Sequence, residues 1–361
     1  MQSGDSQLRE RLQTGFLGVV AFALILFMLV QARFILICLA IAVIVFALTS
    51  DAISAFARLK VPNWLATTLA LFAIAVGLLW AATAVVAQIN EIVSTAILYS
   101  DRAQEVLRRL AADFSPGAQE TLATFLSNIN LVGWMRSAAG QASNLISGAV
   151  LTVTFTAFMF AERAWFPIKV ERLAGDEARA RHVLAIIGSI TRRVNRYLLV
   201  KSVISLVTAL LIWSVFRVAG LELAGAIAML TFILNFIPTI GSIIATVIAV
   251  ILVLAQTGDP TTTLLIGGAC TMVQFLIGNI LDPLLLGQTL RLSSFGIVLS
   301  LAFWGAIWGI AGMFLAVPIM VGAMIVCAHI PWLRPIAIML SHEGLPDEGE
   351  NDDDQGFRDA A

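Results

Sequence analysis

A few polar residues stand inside the long apolar stretches of the C-terminal half, and these residues could do chemistry there. Gln274, Asn279 and Asp282 share one stretch, which ends at Pro283. A carboxylate at the bilayer centre costs roughly 2.5–3.5 kcal/mol, so Asp282 indicates a functional site or a helix end at the membrane interface. A helix places Asn279 and Asp282 on one face, where they could coordinate an ion or a hydroxyl-bearing solute, with Gln274 offset by roughly 140°. Hydrogen bonding between helices is the alternative.

A second polar group surrounds a proline. Asn235 precedes Pro238, and Thr239, Gly241 and Ser242 follow it. Proline removes a backbone donor and clashes with the preceding turn, so the helix is predicted to break at this point. Broken helices persist in membranes where protein or a water-filled cavity satisfies the backbone, and they are typical of transport sites. A simple proline kink is the alternative.

Three glycines precede a second proline. Gly305, Gly309 and Gly312 follow a small-residue spacing that favours close helix packing over a ligand site, although sliding surfaces also need small residues. Pro318 then predicts a break at Ala316-Val317-Pro318.

The elements that must position these groups are membrane helices. Of 361 residues, 59% are hydrophobic and 12% are charged, against the roughly 25% charged residues of a soluble domain. Continuous apolar runs of about 20 residues recur, each long enough to cross a bilayer as a helix. The alternating segments of a membrane β-barrel do not occur. The fold class predicted is therefore an all-α polytopic membrane protein of about eight membrane segments.

Two apolar blocks have an unusual length. Residues 223–256 and 295–327 would each be roughly 50 Å long as one helix, which is too long for one span and too short for two. Each block is predicted to be proline-broken. Two topologies fit equally well: both blocks are full kinked spans, or both are re-entrant hairpins.

The sequence divides into six segments. Nine Lys or Arg residues between Glu162 and Lys201 place that segment in the cytoplasm by the positive-inside rule, and both termini with it. The acidic tail from Glu343 is predicted to be disordered. The segments are three N-terminal membrane helices (1–87), an extracytoplasmic amphipathic segment (88–144), a fourth membrane helix (145–161), a basic cytoplasmic segment (162–197), a C-terminal membrane domain with the broken segments (198–330) and an acidic cytoplasmic tail (331–361).

Several function classes lack supporting motifs. No Walker A, HExxH, GxSxG or CxxC pattern occurs, so an enzyme is not expected. The three cysteines and three histidines have no metal-ligand spacing, and we expect neither a metal site nor a cofactor. A net charge of −1 gives no indication of a nucleic-acid partner.

Three motifs carry a resemblance to a known family. Residues 235–241, 278–283 and 303–318 resemble the autoinducer-2 exporter (AI-2E) family of bacterial transporters, and the similarity covers nearly the whole chain. Arg196-Tyr197-Leu198 resembles the family's entry to its fifth helix. Lys201 departs from the family pattern, because many members have Gln there, and Ser294 stands where Pro is common.

The resemblance implies a bacterial inner-membrane protein of about eight spans. It also implies export of a small polar signalling molecule or, in other members, exchange of sodium for protons, by a homo-oligomer. We therefore expect a secondary transporter in which Asn235, Gln274, Asn279 and Asp282 bind a small polar solute or a monovalent cation, with Na+ or H+ as coupling ion. A passive channel and a membrane scaffold are the alternatives.

Overall fold

The computed structural model describes residues 2–57, 63–98, 131–286, 292–342 and 344. These residues form helices and short connections, with one isolated antiparallel bridge between Leu292 and Ser341, which confirms the all-α prediction. The helices are α1 (Gln2–Gln31), α2 (Arg33–Ala57), α3 (Asn63–Leu98), α4 (Leu131–Glu162), α5 (Phe166–Ala174), α6 (Glu177–Val218), α7 (Ala224–Leu234), α8 (Ile240–Thr257), α9 (Pro260–Leu276), a π-helical turn (Ile277–Leu281), α10 (Asp282–Leu286), α11 (Ser294–His329) and α12 (Arg334–Leu340).

Within the described residues, eight helical stretches are long and apolar enough to cross a membrane. Their outer surfaces carry large exposed apolar side chains, including Phe16, Phe72, Phe158 and Leu264. Such surfaces are stable in hydrocarbon and costly in water. The polytopic membrane fold is therefore confirmed.

The N-terminal helices pack against α4. The Phe46 ring of α2 meets the Phe160 ring of α4 edge to face, with centroids 4.8 Å apart. The Thr152 hydroxyl of α4 donates to the Cys38 carbonyl of α2 over 3.5 Å. Ile92, near the end of α3, is buried with residues of α6 and α7. The predicted 88–144 segment is therefore helical at both of its described ends, and residues 99–130 lie outside the described residues.

Helix α6 organises the C-terminal half. Asp176 caps its N-terminus, and the helix continues for 42 residues, or about 63 Å, through the point near Tyr197 where the fifth span was predicted to begin. That length is about twice the thickness of the hydrocarbon core, so one half of α6 projects from the membrane. From Val194 to Phe216 its buried residues recur at helical spacing and form one continuous face.

The first block is a helical hairpin, which we call hairpin 1 (residues 224–257). The chain turns between α7 and α8 at the predicted break around Pro238. A Cβ built on Gly241 would lie 1.8 Å from the Leu234 carbonyl oxygen, although a straight helix would separate these residues by about 10 Å. Ile227 of α7 and Val253 of α8 belong to one buried cluster, so the two arms run side by side.

The second block is also a hairpin, which we call hairpin 2 (residues 294–329). Within α11, Gly309 has φ 65° and ψ −141°, a conformation that is essentially restricted to glycine. The Ser300 hydroxyl donates to the Ala316 carbonyl over 2.8 Å, whereas a straight helix would hold them about 24 Å apart. The first arm (294–308) therefore lies against the second arm (310–329).

The predicted break at Pro318 is wrong. Pro318 lies buried inside the second arm, and the chain reverses nine residues earlier at Gly309. A proline only removes one donor from its helix, and membrane helices accommodate that loss when neighbours pack around it. The reversal at Gly309 uses a positive φ, which glycine adopts without steric cost.

The two hairpins have their open ends at opposite ends of α6. Leu221 and Leu223, just before hairpin 1, are buried with Phe216 near the C-terminus of α6. His329, at the end of hairpin 2, places its ring 5.3 Å from the His182 ring near the N-terminus of α6. Both blocks are thus helical hairpins, and they enter the fold from opposite directions.

The segment after α9 differs from its prediction. The helix was expected to end at Asp282-Pro283, but a π-helical turn precedes Asp282 and α10 continues to Leu286. Helix α12 packs on the base of hairpin 2, where the Ser293 amide donates to the Leu340 carbonyl over 2.8 Å. The predicted disordered tail from Glu343 lies outside the described residues, apart from Gly344.

Candidate transport site

Helix α6 presents a buried line of polar side chains to the hairpins. Tyr197, Lys201, Ser205 and Thr208 lie at spacings of four and three residues and are each at most 3% exposed. Residues at these spacings share one helix face, so the four side chains form a column, here called the polar column. Buried polar groups are costly unless they have partners. The residues that pair with the polar column therefore indicate where the candidate site lies.

Lys201 forms an ion pair with Asp282 of α10. The Lys201 Nζ atom lies 2.9 Å and 3.2 Å from the two Asp282 carboxylate oxygens and donates to both. The lysine side chain is 3% exposed and the aspartate side chain 24% exposed. Because the lysine side is buried, removing either partner leaves a charge that water solvates poorly.

Sequence reasoning did not identify Lys201 as a site residue. This lysine was counted among the nine basic residues that indicate the cytoplasmic side, whereas the structure buries its side chain and pairs it with Asp282. Two signals could have found it. Lys201 follows the predicted start of the fifth span near Tyr197, and it stands where the resembling family commonly has a glutamine.

Asn235 joins the tip of hairpin 1 to the polar column. Its side-chain Nδ2 atom donates to the Ser205 hydroxyl over 3.1 Å, and both residues are buried. The next residue, Phe236, places its ring 5.0 Å from the Phe314 ring of hairpin 2. The tip of hairpin 1 is therefore held between α6 and the second arm of hairpin 2.

The tip of hairpin 2 is anchored on the N-terminal helices. The Trp308 indole Nε1 donates to the Leu29 carbonyl of α1 over 3.1 Å. Trp308 also contacts Trp304, with ring centroids 4.5 Å apart. The two tips therefore have different supports, because hairpin 1 ends on α6 and hairpin 2 ends on α1.

The predicted residues around Pro238 form the turn of hairpin 1. Thr239 has φ 61°, a positive value that is rare for a residue with a β-branched side chain, and it is exposed. Its carbonyl accepts the Ser242 hydroxyl over 2.8 Å. Strained, exposed backbone of this kind clusters at functional sites.

The structure separates the polar residues that lie around the π-helical turn. Asn279 is exposed and donates to the Phe275 carbonyl of its own helix over 2.9 Å, whereas Asp282 turns toward α6. Gln274 is half-buried on α9, and Pro283 is exposed on α10. A π-helical turn shifts the helical register and is frequent at functional sites. No described contact joins Asn235, Asn279 and Asp282 directly. Asn235 and Asp282 each contact a residue of α6, Ser205 and Lys201 respectively.

Two of the predicted glycines allow the arms of hairpin 2 to approach. A Cβ on Gly312 would lie 2.0 Å from the Trp304 carbonyl oxygen, and a Cβ on Gly305 would lie 2.9 Å from the Met313 side chain. The packing role predicted for them fits these distances, while Gly309 forms the reversal itself. A groove of about 630 Å³ between α8 and α9, lined by residues such as Val250, Leu264 and Phe275, includes none of the predicted site residues.

Bilayer-length helices with two opposed hairpins around a buried polar column are typical of a polytopic membrane transporter. The chain belongs to the AI-2E transporter family, whose model, "AI-2E family transporter", matches residues 17–332. It is 26% identical to the AI-2 transport protein TqsA of Escherichia coli K12 over 333 residues, which cover 90% of this chain and 95% of TqsA.

Two further relatives have less specific names. A Haemophilus influenzae protein is 27% identical over 336 residues, which cover 90% of this chain and 95% of the relative. The YhhT protein of Escherichia coli K12 is 31% identical over 216 residues, which cover 60% of each chain. Both names state transport in general terms and give no substrate. The relatives therefore support membrane transport as the general activity.

Proposed function

We propose that this chain is a secondary transporter that exports a small polar, signalling-type solute across the bacterial inner membrane with coupling to an ion gradient. The observation that supports it is the meeting of two opposed hairpins at the polar column, through the Asn235–Ser205 and Phe236–Phe314 contacts. The name of the relative TqsA, an AI-2 transport protein, supports the same solute class.

The two hairpins would control access to the polar column from opposite ends. Hairpin 1 covers the column from the end of α6 at Val218, and hairpin 2 covers it from the end at Glu177. Movement of one tip at a time would expose Ser205 and Asn235 to one compartment only. Secondary transporters with half-helices around a midplane site use such alternating access.

The proposed orientation follows the basic residues. Arg163, Lys169, Arg172 and Arg179 lie near the N-terminal end of α6, so we place that end and both chain termini in the cytoplasm. Hairpin 1 then opens toward the outside and hairpin 2 toward the cytoplasm. Neither a cofactor nor a metal is part of the proposal, and homo-oligomeric assembly is an expectation from the family resemblance.

A sodium/proton antiporter is the second candidate. Asp282 supports it, because a partly exposed carboxylate beside the polar column is a group to which a proton can bind, or a monovalent cation in place of the Lys201 ammonium. In that case Na+ or H+ would be the transported species, and flux would need no organic solute.

Flux through reconstituted vesicles tests the proposal. A panel of small polar solutes is measured under a tenfold sodium gradient, a tenfold proton gradient and no gradient. Because a tenfold gradient supplies about 1.4 kcal/mol, coupled transport of one ion per solute should give saturable flux and up to about tenfold accumulation. Asn235→Ala should remove most of this flux, since it detaches the hairpin 1 tip from Ser205.

The control is Asn90→Ala, which changes an exposed asparagine on α3 and should leave flux unchanged. Unitary currents without saturation would contradict the carrier and indicate a channel. Sodium exchange for protons in the absence of every solute would indicate the antiporter instead.

A further inference from the structure

The positive charge that neutralises Asp282 comes from a residue of the same chain, Lys201. The Lys201 ammonium donates to both carboxylate oxygens, at 2.9 Å and 3.2 Å. A two-oxygen contact of this kind is also how a carboxylate holds a small cation. The ammonium thus stands where a cation bound to Asp282 would stand.

The other charged residues near this part of the chain have different roles. Between residues 202 and 286 they are Arg217, Glu222 and Asp259, of which Glu222 is exposed in the connection between α6 and α7. Arg217 lies sixteen residues, or about 24 Å, along α6 from Lys201 and places its guanidinium 5.9 Å from the centre of the Trp213 ring. Asp259 accepts hydrogen bonds from the Thr261 and Thr262 amides at the start of α9. The ion pair therefore identifies Lys201 as the described group that neutralises Asp282.

A second cation beside Lys201 would be repelled. At a separation of about 4 Å and an effective dielectric constant of about 20, repulsion by the ammonium lowers the affinity for a second cation by roughly 10³-fold. The Lys201–Asp282 pair is already neutral, so an added alkali-metal ion would give this partly buried site a net positive charge. Lys201 and a metal ion at Asp282 thus exclude each other.

Tyr197 supplies independent support for a site at this position. It lies one helical turn from Lys201 and within electrostatic range of Asp282. Its side chain is 3% exposed, and its hydroxyl has no hydrogen-bond partner among the described residues. An orphaned buried hydroxyl is rare and calls for an explanation. A hydroxyl oxygen and a carboxylate are the kinds of ligand that hard cations prefer.

We propose that Lys201 is a built-in cation that replaces an alkali-metal ion at Asp282, so that this chain transports without binding Na+ at that carboxylate. The inference rests on the proposed transport function and narrows its coupling to protons or to solute exchange. Lys201→Gln should open a sodium site, because it removes the ammonium and adds an amide oxygen beside Asp282 and Tyr197.

Cation-dependent thermal stability of the purified full chain tests this inference. NaCl is titrated against choline chloride at constant ionic strength for wild type, Lys201→Gln, Lys201→Arg and Lys201→Gln/Asp282→Asn. Wild type and Lys201→Arg should give the same Tm in both salts. Lys201→Gln should gain a saturable sodium-specific rise of about 2 °C or more, and the double variant should lose it.

A saturable sodium-specific rise in wild type that Asp282→Asn abolishes would overturn the inference. So would a folded Lys201→Gln variant whose Tm is indifferent to sodium. Should Lys201→Gln fail to fold, wild-type flux decides: the inference predicts equal solute flux with and without sodium, and a sodium requirement overturns it. Absence of solute flux under every gradient would contradict the proposed transport function alone, because the Tm comparison needs no flux.

Discussion

Asp282→Asn alone is expected to lower the free energy of unfolding by about 3 kcal/mol, and Lys201→Gln alone by a similar amount. Each single change leaves one charge of the pair without its partner, and breaking a buried pair in this way typically costs about 3–5 kcal/mol. Because the Asp282 side chain is 24% exposed, the lower end of that range applies. The Lys201→Gln/Asp282→Asn variant should be more stable than either single variant, since two amides can hydrogen-bond to each other.

Unfolding in mixed detergent micelles, in sodium-free buffer, measures this double-mutant cycle. The matched control is Lys169→Gln, which breaks an ion pair with Glu162 whose side chains are more than half exposed. Exposed pairs contribute about 0–1 kcal/mol, so the control should change stability little. Losses that simply add in the double variant would show that Lys201 and Asp282 do not act as a pair.

Gly241→Ala and Gly312→Ala are each expected to prevent correct folding of one hairpin. The added Cβ would lie 1.8 Å from the Leu234 carbonyl oxygen in hairpin 1 and 2.0 Å from the Trp304 carbonyl oxygen in hairpin 2. Both obstacles are backbone atoms, which cannot move aside by rotation about a side-chain bond. The arms must separate, and the expected loss exceeds about 4 kcal/mol, at the extreme of single substitutions.

The yield of monodisperse protein and its Tm measure this effect. Gly225→Ala in α7 and Gly268→Ala in α9 are the controls, because a Cβ at either position meets nothing within 4 Å. Alanine also has the higher helix propensity, so these controls should keep or slightly raise Tm. A well-folded Gly312→Ala variant with wild-type Tm would contradict the close approach of the two arms.

The membrane helices and the first break were predictable from sequence because both depend on local chemistry. Apolar runs of bilayer length predict spans wherever they occur. Pro238 breaks its helix because Asn235 and Thr239 lie beside it, where the turn can find partners and adopt a positive φ. The same rule failed at Pro318, where surrounding helices bury the proline and the helix continues.

The site was only partly predictable, because its partners are distant in sequence. Asp282 was identified as a candidate, but its partner Lys201 is 81 residues away, and Ser205 is 30 residues from Asn235. The periodicity of α6 shows which residues share a face, but it cannot show what packs on that face. The π-helical turn at Ile277–Leu281 also changes the register, so an ideal helix gave a misleading relation between Asn279 and Asp282.

The opposed hairpins are the central claim, and side-specific cysteine labelling tests it most directly. In a background without Cys38, Cys270 and Cys327, single cysteines replace Glu222 and Thr261, which flank hairpin 1. For hairpin 2 they replace Phe295, at its start, and Trp332, just after its end. All four of these side chains are exposed. A membrane-impermeant reagent is then applied to right-side-out and inverted vesicles.

We expect Glu222→Cys and Thr261→Cys to react from one face of the membrane, and Phe295→Cys and Trp332→Cys to react from the opposite face. Reaction of Glu222→Cys and Thr261→Cys from different faces would mean that residues 224–257 cross the membrane. That result would contradict the hairpin and remove the site built on it.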